Sequence, residues 1–226
     1  MRVIDIETHS QARALAAQYP MDDRQPPENY KKPETIAKWY ESDQKKWKAD
    51  LAKNAALSPR LGRIVAVGWD TGSAGTLVDL NESGERELVS VALEIVEGAA
   101  SLHPRSTGRD QLVTFNGHPF DLPYLHTRAA ILGVRIPYRA GDFLRRYSND
   151  PHADLRMILS NWDMRAEGTL GDWCAAFGIP LADDSSGANI GGMVERGDVE
   201  GIRRHCASDV AATRQLAQRL QQAGLV

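Results

Sequence analysis

The chain has 226 residues, 42% hydrophobic and 25% charged, with 27 basic against 30 acidic side chains and a formal charge of −3. That composition has the length for a sizeable core and argues against a disordered chain, a repeat array or a protein held to nucleic acid by bulk positive charge. Cys174 and Cys206 lack a metal-type pairing, no secretory leader is expected and no apolar run reaches membrane-span length, so a reducing cytoplasm is the expected compartment.

Residues 2–6, Arg-Val-Ile-Asp-Ile, predict a short buried strand at the start of the chain. A proline-punctuated stretch (Pro20, Pro26, Pro27, Pro33) leads into an expected helix at 34–54, inside an inserted segment at about 20–58. Arg63–Trp69 is the second expected strand, and 75–80 beyond the Thr71-Gly72 turn is the third, in hairpin relation to it. Helical spacing of Leu88, Val91, Ala92 and Ile95 predicts a helix over 85–96. Gln111–Phe115 reads as a strand, and 121–132 as a helix closed by Gly133. A fifth strand is expected near 152–157 and a short helix at 169–177, stopped by Gly178 and Pro180. Residues 181–192, rich in Gly, Ser and Asp, read as a loop, and Asp198 as the cap of a last helix to about 221. The order predicts one α/β domain over 1–226: a mixed five-stranded sheet flanked by helices, with the inserted helical segment.

Three short segments concentrate acidic side chains. Asp5 and Glu7 stand two apart on the first strand, so alternation puts both on one face. Two carboxylates on a central strand are costly unless a cation or a solvent cleft receives them. Taken alone, a strand end reaching water would explain them as well. Asp121 closes Phe115-Asn116-Gly117-His118-Pro119-Phe120-Asp121 where strand passes into helix, a place where Asp also serves as an N-cap. His205 and Asp209 lie four apart on the last helix, about 400° of rotation, and therefore stack on one face. A surface ion pair would account for that pair in isolation.

Together the three segments are more specific than any one. Asp-x-Glu-Thr at 5–8, Asn-x-x-x-Phe-Asp at 116–121 and x-Cys-x-x-Asp-Val at 205–210 resemble, in the same order, the three exonuclease motifs of the DEDD superfamily of proofreading nucleases. The chain is most similar in pattern to predicted 3′–5′ exonucleases related to the exonuclease domain of family B DNA polymerases, and the insertion at 20–58 resembles one found in phage and bacterial members. The resemblance implies a ribonuclease H-like fold and maps the four carboxylates onto Asp5, Glu7, Asp121 and Asp209. It departs in one respect. Superfamily members carry tyrosine four residues, or histidine five residues, before the last aspartate, whereas here His205 stands four ahead of Asp209. An unperturbed imidazole titrates at ~6.5 and suits a base at neutral pH, while a phenol at ~10 mostly orients.

The chemistry implied is two-metal hydrolysis at a 3′ end, with Mg²⁺ or Mn²⁺ as the pair of divalent cations. Asp5 would bridge the two, Glu7 and Asp209 would complete the first site, and Asp121 would serve the second. His205 would accept or orient the proton of the attacking water. Thr8 and Asn116 would position the terminal nucleotide, with Phe120 packing or stacking near it. The implied substrate is nucleic acid, DNA in preference to RNA, as a single-stranded or frayed 3′ end, and the resemblance allows a DNA polymerase as partner. A ribonuclease H-like endonuclease, which would cut closed circles, and a non-catalytic binding module are the competing readings. The second usually lacks a carboxylate, and all four are present.

Two further features of the sequence admit more than one reading. Ile36, Tyr40, Trp47 and Leu51 share one face of the inserted helix, and residues 31–60 hold eight basic against four acidic side chains. The segment reads as an amphipathic helix docked by its aromatics with solvated lysines; a basic flap with Trp39 stacking on bases is the alternative. His118, His152 and Asp154 suggest zinc, but their spacing fits no ligand pattern, and a strand with an exposed histidine is the expectation.

Overall fold

The first strand, β1 (Arg2–Ser10), sets the layers by its alternation. The computed structural model describes residues 1–11, 25–100, 110–183 and 187–226. Ile4 and Ile6 pack on one side of the sheet with Leu88, Ala92, Leu122 and Leu125. Val3 packs on the opposite side with Val210, Ala212 and Leu216. Asp5 and Glu7, in phase with Val3, therefore share the face covered by the last helix.

The strands β2 (Gly62–Asp70) and β3 (Ala74–Val78) extend the sheet antiparallel on one side of β1. Their turn is held by Asp70 Oδ1, which accepts from the Gly72 amide at 2.8 Å, and Gly72 has φ +100°, a conformation natural to glycine. On the other side β4 (Leu112–Thr114) and β5 (His152–Asp154) run parallel to β1, giving the order β3-β2-β1-β4-β5. The expected mixed five-stranded sheet is thus present.

Helices α1 (Pro33–Ala56), α2 (Glu85–Ala100) and α3 (Asp121–Leu132) fall where the sequence places helices, α2 running four residues past the expected end. Arg128 of α3 and Glu85 of α2 form a buried pair, Nε to Oε1 at 2.7 Å, and the same Oε1 accepts from the Ile64 amide of β2 at 2.9 Å. These bonds tie α2, α3 and β2 at one point, and removing either charge would strand its partner at a cost of about 3–5 kcal/mol.

Other boundaries differ from expectation, β1 among them, which runs on to Ser10 rather than ending at 6. The fifth strand stops at Asp154 rather than 157, because that carboxylate accepts from the amides of Arg156 (3.0 Å) and Met157 (3.3 Å) and caps α4 (Leu155–Leu159). An N-cap overrides the β-like look of Leu-Arg-Met-Ile-Leu. After α5 (Leu170–Ala176), the expected loop at 181–192 already contains the start of α6 (Ile190–Arg196), whose Ile190 is buried against Ile202 and Cys206. Residues 184–186 of that loop lie outside the described residues. The last helix, α7 (Val199–Gln222), is capped as expected: Asp198 accepts from the Gly201 amide at 2.8 Å.

In α1, Ile36 and Trp39 are half-buried while Tyr40 is 42% exposed, its ring edge-on to Trp39 at 4.9 Å. Trp39, not Tyr40, is the more withdrawn aromatic. The side chains of Trp47 and Leu51, the rest of the expected face, lie outside the described residues.

Candidate active site

Three elements deliver the acidic side chains to one cleft. From β1 come Asp5 and Glu7, placed on the α7 face by alternation. From α7 come His205 and Asp209, brought close because β2 carries Gly68 at the contact. A Cβ on Gly68 would stand 2.7 Å from Cys206 Sγ and 2.9 Å from Val210 Cγ2. Gly68 pairs with Asp5 across the sheet, so α7 lies directly against the acidic strand.

Asp121 arrives by a different route. The parallel pairing of β1 with β4 covers Arg2 and Val3, and β4 ends at Thr114. Past that point the β4-side edge of β1 is open, and the Ile6 amide donates instead to Asp121 Oδ1 at 3.3 Å. Asp121 is the first residue of α3, with Phe120 in the cap position, so the N-cap alternative for Asp121 does not hold.

The cleft, of about 710 Å³, is lined by Asp5, Glu7, Asp121, His205 and Asp209, with Asn116, Phe120 and Arg156 among the rest of its wall. His205 Nε2 lies 3.5 Å from Glu7 Oε1 and 3.9 Å from Asp209 Oδ2. Cys206 Sγ donates to Asp5 Oδ2 at 3.6 Å. Donor atoms of Glu7, His205 and Asp209 all lie within 4.8 Å of one another, and so do those of Asp5, Glu7 and Cys206.

Electrostatics agree with the geometry. Burial, then repulsion from Glu7, Asp121 and Asp209, pushes the Asp5 carboxyl well above its ordinary range. Burial and then Asp209 and Asp121 do the same to Glu7. Burial lifts Asp121 to about 7, with Asp154 adding to the rise and the Ile6 amide opposing it. Asp209 is raised by burial, against the pull of His205. Carboxylates crowded in this way repel one another as anions, and a hard divalent cation would relieve that repulsion. The donor set, mostly carboxylate oxygen, fits such an ion.

Of the other expected residues, Asn116 and Phe120 line the cleft, and Thr8 does not. Thr8 stands opposite Ile64 beyond a register shift and falls on the α2–α3 face. Asn116 holds φ +71°, and its Oδ1 accepts from Arg156 Nη1 at 2.9 Å. Arg156 was not foreseen, nor was the part played by Asp154. The Asp154 carboxylate accepts from the amides of Asn116 (2.9 Å) and His118 (2.8 Å) besides capping α4, fixing the loop that carries Asn116 and Phe120. The single available signal was Asp preceding a helix-compatible run.

The expectation of an exposed histidine on β5 is overturned. His152 is 2% exposed; Nδ1 donates to the Phe143 carbonyl at 2.9 Å, and Nε2 accepts from Thr114 Oγ1 at 2.7 Å. Burial lowers its pKa to about 3, so it is a neutral, satisfied core residue. His118 stacks on it at 4.5 Å, and Asp154 is engaged by backbone amides, which leaves no zinc arrangement among the three.

Four carboxylates and a histidine thus converge at the open edge of the central strand of a mixed five-stranded sheet, an α/β fold of the ribonuclease H-like kind. The chain belongs to the family of predicted 3′–5′ exonucleases related to the exonuclease domain of PolB, whose model matches residues 60–223. That span includes Asp121, His205 and Asp209, while Asp5 and Glu7 precede it. No curated protein matches the chain. Among solved structures it is similar in fold to the family B DNA polymerase from the hyperthermophilic archaeon Pyrobaculum calidifontis, with a TM-score of 0.59 and 18% identity. The similarity covers 97% of this chain and 24% of the polymerase, so the chain spans about a quarter of that protein.

Proposed function

We propose that the protein hydrolyses phosphodiester bonds from the 3′ end of nucleic-acid strands, DNA in preference to RNA, releasing nucleoside 5′-monophosphates. The observation that carries this reading is the convergence of Asp5, Glu7, Asp121, His205 and Asp209 from three elements in one cleft. Membership of a family of predicted exonucleases supports it.

Asp5, Glu7, Asp121 and Asp209 would hold two divalent cations, Mg²⁺ or Mn²⁺, which when bound supply charge neutralisation at the phosphate and the leaving oxygen. The chain's own residues do the rest. His205, with Nε2 3.5 Å from Glu7, accepts the proton of the attacking water. The water oxygen bonds to phosphorus, the bond to the 3′ oxygen of the preceding nucleotide breaks, and its electron pair leaves with that oxygen, which takes a proton from solvent. Phe120 and Asn116 form the wall against which the terminal nucleotide lies, and Arg156 fixes the Asn116 side chain.

The test is digestion of 3′- and 5′-labelled single-stranded and duplex DNA and RNA with Mg²⁺, Mn²⁺ or EDTA. Stepwise loss of 3′ nucleotides as 5′-monophosphates, abolished by EDTA, is expected. Efficient cutting of a circular single strand would replace the reading with an endonuclease.

A further inference from the structure

A second cavity, of about 480 Å³, opens on the far side of the loop that carries Asn116 and Phe120. Its lining includes His118, Arg146, Tyr147, Met157, Trp162 and Met164. The two cavities share their walls residue by residue. Asn116 and Phe120 face the catalytic cleft while His118 and Pro119 face the groove; Arg156 faces the cleft and Met157 the groove.

The groove has the chemistry of a stacking platform. The Trp162 ring stands 4.9 Å from His118 and 5.3 Å from Tyr147, so three aromatic rings follow one another along it. Tyr147 is 78% exposed and Met164 52%, much apolar surface to leave in water on side chains that line a concavity. Arg146, which lines the groove, precedes Tyr147 and is exposed, while its neighbour Arg145 pairs with Asp142 at 2.6 Å. Tyr147 and Trp162 hold φ +60° and +62°, left-handed conformations that bulky residues seldom adopt and that concentrate at functional sites. The exposed Tyr147 ring beside the exposed Arg146 guanidinium matches an unpaired base and its phosphate.

We propose that this groove binds an unpaired nucleobase of the substrate strand, on the 5′ side of the bond being cut, with Tyr147 stacking on the base and Arg146 meeting a backbone phosphate. The 5′ direction follows from the proposed function, on which this inference rests. With the 3′ end seated in the catalytic cleft, the bound strand continues only toward its 5′ end. The groove would hold the strand between cleavage events and favour single-stranded over paired ends, since a paired base has no free face to stack.

The test separates binding from hydrolysis. Fluorescence anisotropy with a 5′-labelled twelve-residue oligo(dT) and with a trinucleotide, in EDTA at low salt, is compared for the wild type and the variants Tyr147→Ala, Tyr147→Phe and Arg146→Ala. The wild type should bind the twelve-mer more tightly than the trinucleotide. Tyr147→Ala should weaken twelve-mer binding about ten- to a hundredfold, the span of one base–aromatic stack, and Tyr147→Phe should restore most of it. Arg146→Ala should lower the salt dependence of binding by about one phosphate contact. Equal twelve-mer affinity in wild type and Tyr147→Ala, or no affinity in the wild type, overturns the groove. Failure of the exonuclease reading shows separately, as absence of metal-dependent mononucleotide release by the wild type.

Discussion

His205 faces two carboxylates through one atom, Nε2, at 3.5 Å from Glu7 and 3.9 Å from Asp209, and the residue is 2% exposed. A buried imidazole in that position can take a proton from a water held among the acids or can orient that water, and the two roles predict different variants. As the base, His205→Ala should lose about 10²–10⁴-fold in kcat. His205→Tyr should keep measurable activity, because a phenol at this helical spacing can still orient the water. Its kcat, measured with the same divalent ion, should lie between those of the wild type and His205→Ala; a kcat equal to the wild type's would leave His205 an orienting role. The pairing of His205 with Asp209 was legible from helical period, as that of Asp5 with Glu7 was from strand period. Arg156 and Asp154 were not, because each meets Asn116 across 40 and 38 residues of chain, a separation that no local pattern encodes.

The same division holds for the elements. Apolar periodicity predicts α2, the Gly133 stop α3 and the Asp198 cap α7, while the expected β5 is too long because its apolar continuation is helical once Asp154 caps it. Thr8 was read with Asp5 and Glu7 from the motif, yet alternation carries it to the opposite face. The approach of α7 to the sheet was also hidden, since Gly68 reads in sequence as an ordinary glycine in a strand. In the fold it is the position where helix and sheet touch. A Cβ there meets Cys206 Sγ at 2.7 Å and Val210 Cγ2 at 2.9 Å, and both belong to the helix that delivers His205 and Asp209. Gly68→Ala should therefore displace α7 outward and cost about 1–3 kcal/mol in overpacking. It should also reduce kcat more than it raises KM, because the displaced groups are the acids and the proposed base rather than the proposed nucleotide wall at Asn116 and Phe120. Thermal denaturation and steady-state kinetics of this one variant check both effects. A loss of stability with kcat intact would mean that the catalytic groups tolerate the shift.

For the molecule as a whole, the metal binding proposed for the acidic cleft would be linked to pH, with a sign that follows from the carboxyl shifts. Asp5, Glu7 and Asp209 are raised by burial and mutual repulsion, and Asp121 is raised to about 7. A carboxyl whose folded pKa exceeds its unfolded value, ~4, contributes stability that is present below ~4 and lost as pH rises through the folded value. Without divalent ions, these four groups should therefore weaken the fold progressively from pH ~4 to beyond 7. Buried histidines act in the opposite sense over part of that range: burial lowers His152 to about 3 and His126 to about 4, so they favour folding as pH rises toward ~6.5. The raw stability curve in EDTA mixes the two, but neither histidine lines the cleft, so their contribution cancels in a difference. The quantity to measure is the melting temperature with Mg²⁺ minus that with EDTA, across pH 5–8. Because the ion would compete with protons for the same oxygens, that difference should grow with pH, corresponding to about 2.7 kcal/mol of stabilisation for each bound ion where Mg²⁺ is 100-fold above its Kd. Asp5→Ala removes one of the repelling charges, so in EDTA near pH 7 it should melt above the wild type, while gaining little from Mg²⁺ and losing orders of magnitude in turnover. A Mg²⁺-induced shift that stays flat from pH 5 to 8, or that persists in full in Asp5→Ala, would place the binding of the ion away from these carboxylates.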